Sequence, residues 1–349
     1  MIEFYLIKIL FLATLAFIFT IAWTPLLTNF LYKHKLGKQI RNNGSTPIFS
    51  KLHAAKSGTP TMGGVLVWLS VLILALVFFY LELIFPGSFL GKLNFLNRTE
   101  TLLPLGALVA SALVGLFDDY LDVRGKGVLG GGGLKIRHRL LIYALIALVG
   151  ALWFYFKLDW DMFHVPFVGA FNLGWWYIPV FIFVIVATAF SVNETDGLDG
   201  LAGGVLLTSF SAYAVICFSL GKYNLAVFCA VIVGALLAFL WFNINPARFY
   251  MGDTGAMSLG VTLGVIAMLT NTALLLPIIG LVFVVESLSV IIQQLSKKLR
   301  HKKIFLSTPI HHHFEALGWS EPKVVMRFWV VAGVAATLGL SFFLLDKLI

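Results

Sequence analysis

The stretch that decides the fold class is Asn224-Leu-Ala-Val-Phe-Cys-Ala-Val-Ile-Val-Gly-Ala-Leu-Leu-Ala-Phe-Leu-Trp-Phe242, which contains no charged residue. It is long enough to cross the hydrocarbon core of a bilayer as a helix, which takes about 20 apolar residues. Similar stretches recur on both sides of it. Of the 349 residues, 60% are hydrophobic and 12% are charged, whereas an ordinary soluble domain carries about 25% charged residues. The mean hydropathy of +0.95 agrees, and a water-soluble fold is excluded.

The apolar stretches give ten candidate membrane spans. Their residues are 5–32, 62–85, 102–117, 139–156, 175–192, 201–220, 224–242, 256–270, 274–295 and 325–345. Because the bilayer core offers backbone groups no water to bond, these spans should be helices, and no alternating segments typical of a membrane barrel occur. We therefore predict an all-α polytopic membrane protein in which residues 1–349 form a single transmembrane domain.

The net charge of +9 comes from 25 Lys and Arg residues against 16 Asp and Glu residues. Most of the basic residues fall in the loops after spans one, three, five, seven and nine. The opposite loops hold only Lys92, Arg98, Lys157 and Lys222. By the positive-inside rule, the first set of loops faces the cytoplasm and both termini lie on the outer side. The basic excess is thus a topology signal, and we predict no binding of nucleic acid.

Polar clusters with chemical character all fall on the side predicted to be cytoplasmic. They are Lys56-Ser-Gly-Thr-Pro-Thr-Met-Gly-Gly64, Asp118-Asp119, Asn193-Glu-Thr-Asp-Gly-Leu-Asp-Gly200, Asn243-Ile-Asn-Pro-Ala-Arg-Phe-Tyr-Met-Gly-Asp-Thr-Gly255 and Pro309-Ile-His-His-His-Phe-Glu315. Five separated loops on one membrane face are what an active site built from several loops requires. We predict such a site there.

The adjacent carboxylates Asp118 and Asp119 end an apolar span, where the helix dipole already disfavours negative charge. The pair therefore needs a cation. Successive helical residues point about 100° apart, so the two side chains should divide their roles and not chelate one ion together. The alternative is an interfacial acidic pair that Arg124 or Lys126 neutralises.

Two further acidic segments allow either a functional or a structural interpretation. Asn193, Asp196 and Asp199 recur every three residues, so a helical turn would place them on nearly one face; alternatively, Asp199 caps the next helix. Asp253 lies between glycines in an oxygen-rich segment that suits a hard cation such as Mg²⁺, or it is a helix cap. Tyr250 just before it can stack on a nucleobase or anchor the membrane interface.

The remaining candidate functional residues are three histidines and one carboxylate within a predicted span. His311, His312 and His313 have no cysteine partner nearby for a zinc site; they can bind phosphate oxygens, or they form a polar surface patch. Glu286 lies inside span nine, where an ionisable residue suggests function unless it pairs with polar neighbours. Pro277 and Gly280 predict a kink in the same span. A cation transporter would also account for these features.

Together the five motifs resemble the phospho-N-acetylmuramoyl-pentapeptide transferase family, and the resemblance spans nearly the whole chain. The aspartate motifs are shared by the wider superfamily of polyprenyl-phosphate sugar-1-phosphate transferases. The Pro-x-His-His-His-x-Glu stretch distinguishes the muramoyl family from sister transferases that use a UDP-N-acetylhexosamine. Such a sister enzyme is the nearest alternative.

The resemblance implies a homodimer of ten-helix chains in the bacterial cytoplasmic membrane, in contact with membrane lipid. The implied reaction joins UDP-N-acetylmuramoyl-pentapeptide to undecaprenyl phosphate with Mg²⁺ and releases UMP. Asp253 would be the principal metal ligand, and Asp118 and Asp119 would activate or orient the lipid phosphate. Because the lipid phosphate is already anionic and needs little help from a base, we favour direct displacement over a covalent aspartyl intermediate, with Asp118 as the deprotonating or orienting group. The implied substrate-binding residues are Lys56, Thr61, Asn193, Asp196, Asp199, Asn243, Tyr250, Gln293, His311, His312 and His313.

The chain departs from the family pattern at one position. Where the family often has a lysine three residues after the second aspartate, this chain has Asp122, followed by a glycine-rich loop. A phosphate contact assigned to that lysine cannot be transferred directly. Lys126 and Lys135 are candidates to replace it.

Overall fold

The structure is a computed structural model that describes residues 2–37, 56, 58–125, 134 and 136–349. Within this part the chain forms twelve α-helices, two short 3-10 turns and one small hairpin. The helices are α1 (Ile2–Lys33), α2 (Val65–Ile84), α3 (Leu102–Val123), α4 (Ile136–Lys157), α5 (Tyr177–Thr195), α6 (Leu201–Ser219), α7 (Tyr223–Asn243), α8 (Gly252–Leu269), α9 (Leu276–Ile279), α10 (Leu281–Arg300), α11 (Ile310–Ala316) and α12 (Glu321–Leu348). The 3-10 turns are Gly91–Leu93 and Gly174–Trp176.

Nine helices of the described chain, α1 to α8 and α12, are long and apolar enough to cross a membrane. The predicted class, an all-α polytopic membrane protein, is confirmed. Two boundaries matter for the site. Helix α3 continues for more than a turn beyond the predicted end at residue 117, and α8 begins at Gly252 instead of residue 256. Asp118, Asp119 and Asp253 therefore lie within helices.

The span predicted at residues 274–295 is interrupted at Gly280, which separates α9 from α10. This break is where Pro277 and Gly280 predicted a kink. Helix α10 is too polar to count among the nine apolar helices. Its polar and apolar residues nevertheless lie on different faces. Glu286 and Gln293 are buried against the protein, whereas Leu288 and Leu295 are exposed. An apolar outer face with a polar inner face indicates lipid surroundings.

A small antiparallel hairpin, which the all-α prediction missed, lies between α4 and α5. Strand β1 (Met162–Val165) pairs with β2 (Gly169–Asn172). The backbone N–H of His164 donates to Asn271 Oδ1 at 2.9 Å, and its Nε2 lies 2.6 Å from Asp346 Oδ2. The hairpin therefore ties the start of α5 to the ends of α8 and α12. Strands of four residues are too short to show a clear alternating pattern.

Helix α8 forms the centre of the bundle, and 94% of its span is buried. Glycines let its neighbours approach closely: a Cβ at Gly115 of α3 would lie 2.4 Å from the carbonyl oxygen of Asp253. A Cβ at Gly260 of α8 would lie 2.8 Å from Cα of Ala189 in α5. These contacts bring the ends of α3 and α5 against the first turn of α8, which is where the polar motifs meet.

The close approach of α3 to α8 makes Gly115→Ala a direct test of this packing. The added methyl group meets backbone that cannot move aside, so we expect the free energy of unfolding to fall by about 1–3 kcal/mol, as for overpacked cores. Thermal unfolding of the detergent-purified protein measures it. Gly106→Ala in the same helix is the matched control, because its Cβ would have no neighbour within 4 Å. Equal stability of the two variants would contradict the packing.

Candidate active site

Asp118 and Asp119 are both buried near the end of α3, and they divide their roles as the helical geometry predicts. Asp118 Oδ2 lies 2.7 Å from Arg139 Nε, and its Oδ1 accepts the backbone N–H of Leu134 at 2.5 Å. Asp119 instead accepts the backbone N–H groups of Asp253 and Thr254, each at 3.0 Å. Since the first N–H groups of a helix have no partner within it, Asp119 caps α8 from another helix.

Asp253 lies in the first turn of α8, beside the same arginine. Its Oδ2 is 2.7 Å from a terminal nitrogen of Arg139, and its Oδ1 accepts the amide N–H of Asn193 at 2.5 Å. Arg139 also approaches Asn193 Oδ1 at 3.3 Å. We call Asp118, Arg139, Asn193 and Asp253 the arginine cluster. Its four residues lie on α3, α4, α5 and α8, and its two carboxylates contact the same guanidinium.

Arg139 is the residue that the sequence analysis missed, since it entered only as a basic residue on the predicted cytoplasmic side. The available signal was its position at the start of a predicted span, where a charge borders the bilayer core. Arg124, considered as the neutralising partner of the aspartates, instead lies over the ring of Tyr120 at 5.4 Å. Lys126, Lys135 and the glycine run lie outside the described residues.

The prediction that Asn193, Asp196 and Asp199 share one helical face is wrong, because α5 ends at Thr195. Asn193 joins the arginine cluster. Asp196 Oδ2 accepts the backbone N–H of Gly252 at 3.1 Å. Asp199 is not the cap of α6, whose N-cap Gly200 has no side-chain hydrogen bond. The three side chains therefore reach different partners.

Asp199 belongs to a second group, the Lys56 cluster, which comprises Lys56, Asp199, Asn245 and Glu321. Lys56 Nζ lies 2.6 Å from Asp199 Oδ1 and also contacts Glu321 Oε1. The amide of Asn245 donates to both carboxylates, at 2.9 Å to Asp199 and 3.2 Å to Glu321. Burial alone lowers the pKa of Lys56, but hydrogen bonds to the two carboxylates outweigh it and raise the pKa above the ordinary lysine value. The ammonium is thus charged at neutral pH.

Thr61, Asn243 and Tyr250 make hydrogen bonds to residues of the two clusters or to their chain neighbours. Thr61 Oγ1 donates to Asp119 Oδ1 at 3.4 Å. Asn243 accepts the backbone N–H of Gly200 at 3.0 Å and donates to a carbonyl of its own loop at 2.8 Å. The hydroxyl of Tyr250 donates to the backbone carbonyl of Lys56 at 3.4 Å, and burial raises its pKa. These predicted substrate residues also hold the site together.

Gln293 and His313 make hydrogen bonds to the connection between α10 and α11. Gln293 Oε1 accepts the backbone N–H groups of Ile304 and Phe305 at 2.9 and 3.1 Å. His313 Nδ1 accepts the backbone N–H of Leu306 at 3.2 Å. In the described structure, both side chains therefore order the connection between α10 and α11.

The other two histidines pair with carboxylates. His311 Nδ1 lies 2.8 Å from Glu286 Oε2, and both side chains are fully buried, so Glu286 has the polar partner that was the alternative to a functional role. A Cβ at Gly197 would lie 2.2 Å from His311 Nε2, so the ring packs on the segment that carries Asn193 and Asp196. His312 Nδ1 lies 2.7 Å from Glu315 Oε2. His311 is thus packed on the site.

Fold and site together define a polytopic membrane protein with polar loops gathered at one end, and comparison with known proteins gives its class. Residues 101–271 match the model of glycosyl transferase family 4. Residues 56–66 match signature 1 of the phospho-N-acetylmuramoyl-pentapeptide-transferases. The first match contains the arginine cluster, and the second contains Lys56 and Thr61.

Relatives that align with nearly the whole chain identify the family within this class. A phospho-N-acetylmuramoyl-pentapeptide-transferase of Chloroflexus aggregans is 41% identical, with 97% of this chain and 90% of the relative covered. The enzymes of the same name from Geobacillus sp. and Bacillus subtilis are 40% and 39% identical, with 93% and 95% of this chain and 95% and 97% of the relatives covered. The chain belongs to the phospho-N-acetylmuramoyl-pentapeptide-transferase family.

Proposed function

We propose that the chain transfers phospho-N-acetylmuramoyl-pentapeptide from its UDP carrier to undecaprenyl phosphate and releases UMP. The observation that carries the proposal is the arginine cluster, in which Asp118, Asn193 and Asp253 from three helices converge on the guanidinium of Arg139. Phosphoryl transfer depends on positioning and charge neutralisation more than on covalent chemistry by the protein. Family membership supplies the identity of the substrates.

The oxygens of the arginine cluster fit a divalent cation. Asp118 Oδ2 and Asp253 Oδ2 each lie 2.7 Å from nitrogens of one guanidinium, so they already stabilise a cation between them. The described residues contain no group of three or more His, Cys, Asp or Glu placed to hold a metal ion. Mg²⁺ does not need such a group, because it typically takes one or two carboxylates together with water and substrate phosphates. We propose Asp253 as its principal ligand; when bound, the ion neutralises diphosphate oxygens.

Arg139 is the second source of positive charge in the proposed mechanism. A guanidinium presents donors in a planar fork that matches phosphate oxygens. Asp118 and Asp253 hold this fork on two sides, and the side chain retains 22% of its exposure, so one part of it can meet substrate. We assign to Arg139 the binding of the diphosphate.

Direct displacement suits the carboxylates better than a covalent aspartyl intermediate. The acceptor phosphate is already anionic, so it needs orientation more than a strong base. Asp118 is held by Arg139 and by the backbone N–H of Leu134, and Asp253 is held by Arg139 and Asn193. We therefore propose that Asp118 orients the acceptor, while Asp119 positions the first turn of α8 as its cap.

A cavity of about 170 Å³ beside Arg139 offers a place for the phosphate of the acceptor lipid and the first carbons of its chain. One part of its lining is polar and includes Asn193 and Glu194, and another part is apolar and includes Leu140 and Phe190. This combination suits a phosphate joined to a hydrocarbon chain. The Lys56 cluster, which includes the first residue of the signature segment, is our proposed site for the nucleotide.

Topology supports a cytoplasmic orientation of the site. The ends of the chain lie at the opposite end of the bundle, where Tyr5 stacks on Tyr223 and Asp346 contacts His164. On the basis of the positive-inside rule, we propose that the site faces the cytoplasm and that both termini lie outside. The homodimer stays a prediction from the family resemblance.

The two alternatives have less support. A sister transferase for UDP-N-acetylhexosamine does not account for the muramoyl signature at residues 56–66 or for relatives that carry the muramoyl name. The alternative of a cation transporter was based on Glu286 as an unpaired residue within the membrane, but Glu286 pairs with His311 in the structure. We retain the muramoyl transferase.

The metal role predicts that Asp253→Asn lowers the rate of UMP release at least about a hundredfold, as expected for losing a main transition-state charge contact. The protein should still insert into membranes and purify normally. Asp346→Asn is the matched control, because Asp346 lies at the opposite end of the bundle. Unimpaired turnover of the Asp253 variant would reject the metal role.

The phosphate role of Arg139 predicts that Arg139→Met lowers the rate of UMP release by roughly a hundredfold at fixed substrate concentrations. Arg137→Met is the control, since Arg137 lies in the first turn of the same helix and is exposed. Rates of both variants are compared in the same detergent. A similar loss in both would show that general basic charge matters and that the position of Arg139 does not.

A further inference from the structure

Glu321 lies in the first turn of α12, outside every motif that the sequence analysis singled out. Its Oε1 contacts Lys56 Nζ and accepts the backbone N–H of Asp199 at 2.7 Å. Its Oε2 accepts the amide N–H of Asn245 at 3.2 Å. One carboxylate therefore joins the segment before α2, the connection between α5 and α6, and the loop after α7.

The Lys56 cluster is largely shielded from solvent. The side chains of Asp199, Glu321 and Lys56 are 3%, 12% and 20% exposed. Without the carboxylate of Glu321, the backbone N–H of Asp199 would lose its acceptor and Lys56 would keep only one counter-charge. An unpaired buried donor is costly, so the ammonium and the backbone beside it would move together.

The Lys56 cluster is connected to the arginine cluster through the backbone. Asp196, three residues before Asp199, accepts the N–H of Gly252, the residue before Asp253. The contacts of Glu321, in contrast, are with Lys56, Asp199 and Asn245. Glu321 is thus placed to affect the Lys56 side of the site much more than the arginine side.

We propose that Glu321 is a positioning residue for the nucleotide-sugar substrate, acting through the Lys56 ammonium that it holds. This inference rests on the proposed function, in which the Lys56 cluster binds the nucleotide. A lysine ammonium on a flexible stem has many rotamers, and a second carboxylate fixes it in one of them. Loss of Glu321 therefore weakens binding of the nucleotide sugar while the groups that carry out transfer stay in place.

The test compares Glu321→Gln with the wild-type, full-length protein by initial rates of UMP release, varying each substrate in turn. We expect the KM for the nucleotide sugar to rise about tenfold, a typical coupling between contacting residues. The KM for undecaprenyl phosphate and kcat should change by less than about twofold, within the normal error of additivity. Glu321→Asp keeps the charge and should give an intermediate KM. Glu3→Gln, in the exposed first turn of α1, is the matched control.

A double variant separates action through Lys56 from an independent effect. Lys56→Met alone should raise the KM for the nucleotide sugar, and adding Glu321→Gln should raise it no further. Multiplied effects of the two substitutions would overturn the proposal. An unchanged KM in Glu321→Gln would also overturn it, as would a fall in kcat with both KM values unchanged, which indicates a merely structural role.

The remaining outcomes are also decisive. If Glu321→Gln does not fold, Glu321→Asp with wild-type KM values overturns the proposal, and the intermediate KM supports it. Wild-type protein that releases no UMP would overturn the proposed function, and this inference with it. Wild-type release together with unaltered KM values in the variants would overturn the role of Glu321 alone.

Discussion

The guanidinium of Arg139 between Asp118 and Asp253 is the interaction on which the site depends. Two carboxylates at the end of an apolar bundle repel each other and lose hydration, and an unpaired buried charge is strongly destabilising. Arg139 approaches both carboxylates at 2.7 Å and offsets this cost. Close glycine contacts of α3 and α5 with α8 bring the partners together. Packing of small residues thus creates a concentrated negative charge that requires a cation.

The proposed chemistry follows from how charge is divided between two clusters. The arginine cluster holds oxygens that suit a divalent ion and a guanidinium that suits phosphate, while the Lys56 cluster holds one ammonium between Asp199 and Glu321. The contact of Asp196 with the backbone of Gly252 joins them. Binding of the nucleotide and transfer of the phosphosugar can then depend on different side chains of one continuous site.

Hydropathy predicts most of this fold because a bilayer leaves few choices for the backbone. Hydropathy does not show which side chains from distant segments of the sequence contact each other. Arg139 looked like a topology signal, since nothing local reveals that its partners are on α3 and α8. Gln293 was predicted to contact substrate from the family resemblance, and no local pattern reveals that it also accepts the backbone N–H groups of Ile304 and Phe305. The division of roles between Asp118 and Asp119 followed from helical geometry, whereas the spacing of Asn193, Asp196 and Asp199 misled because α5 ends between them.

The most direct measurement of the central claim is UMP release from UDP-N-acetylmuramoyl-pentapeptide by the unaltered protein, with Mg²⁺ and undecaprenyl phosphate added singly and together. If charge neutralisation at the arginine cluster supports direct displacement, sustained release requires the ion and the lipid phosphate at once. Release of one UMP per chain without the lipid would contradict direct displacement. An undiminished rate in excess chelator would contradict the assignment of a divalent ion to Asp253.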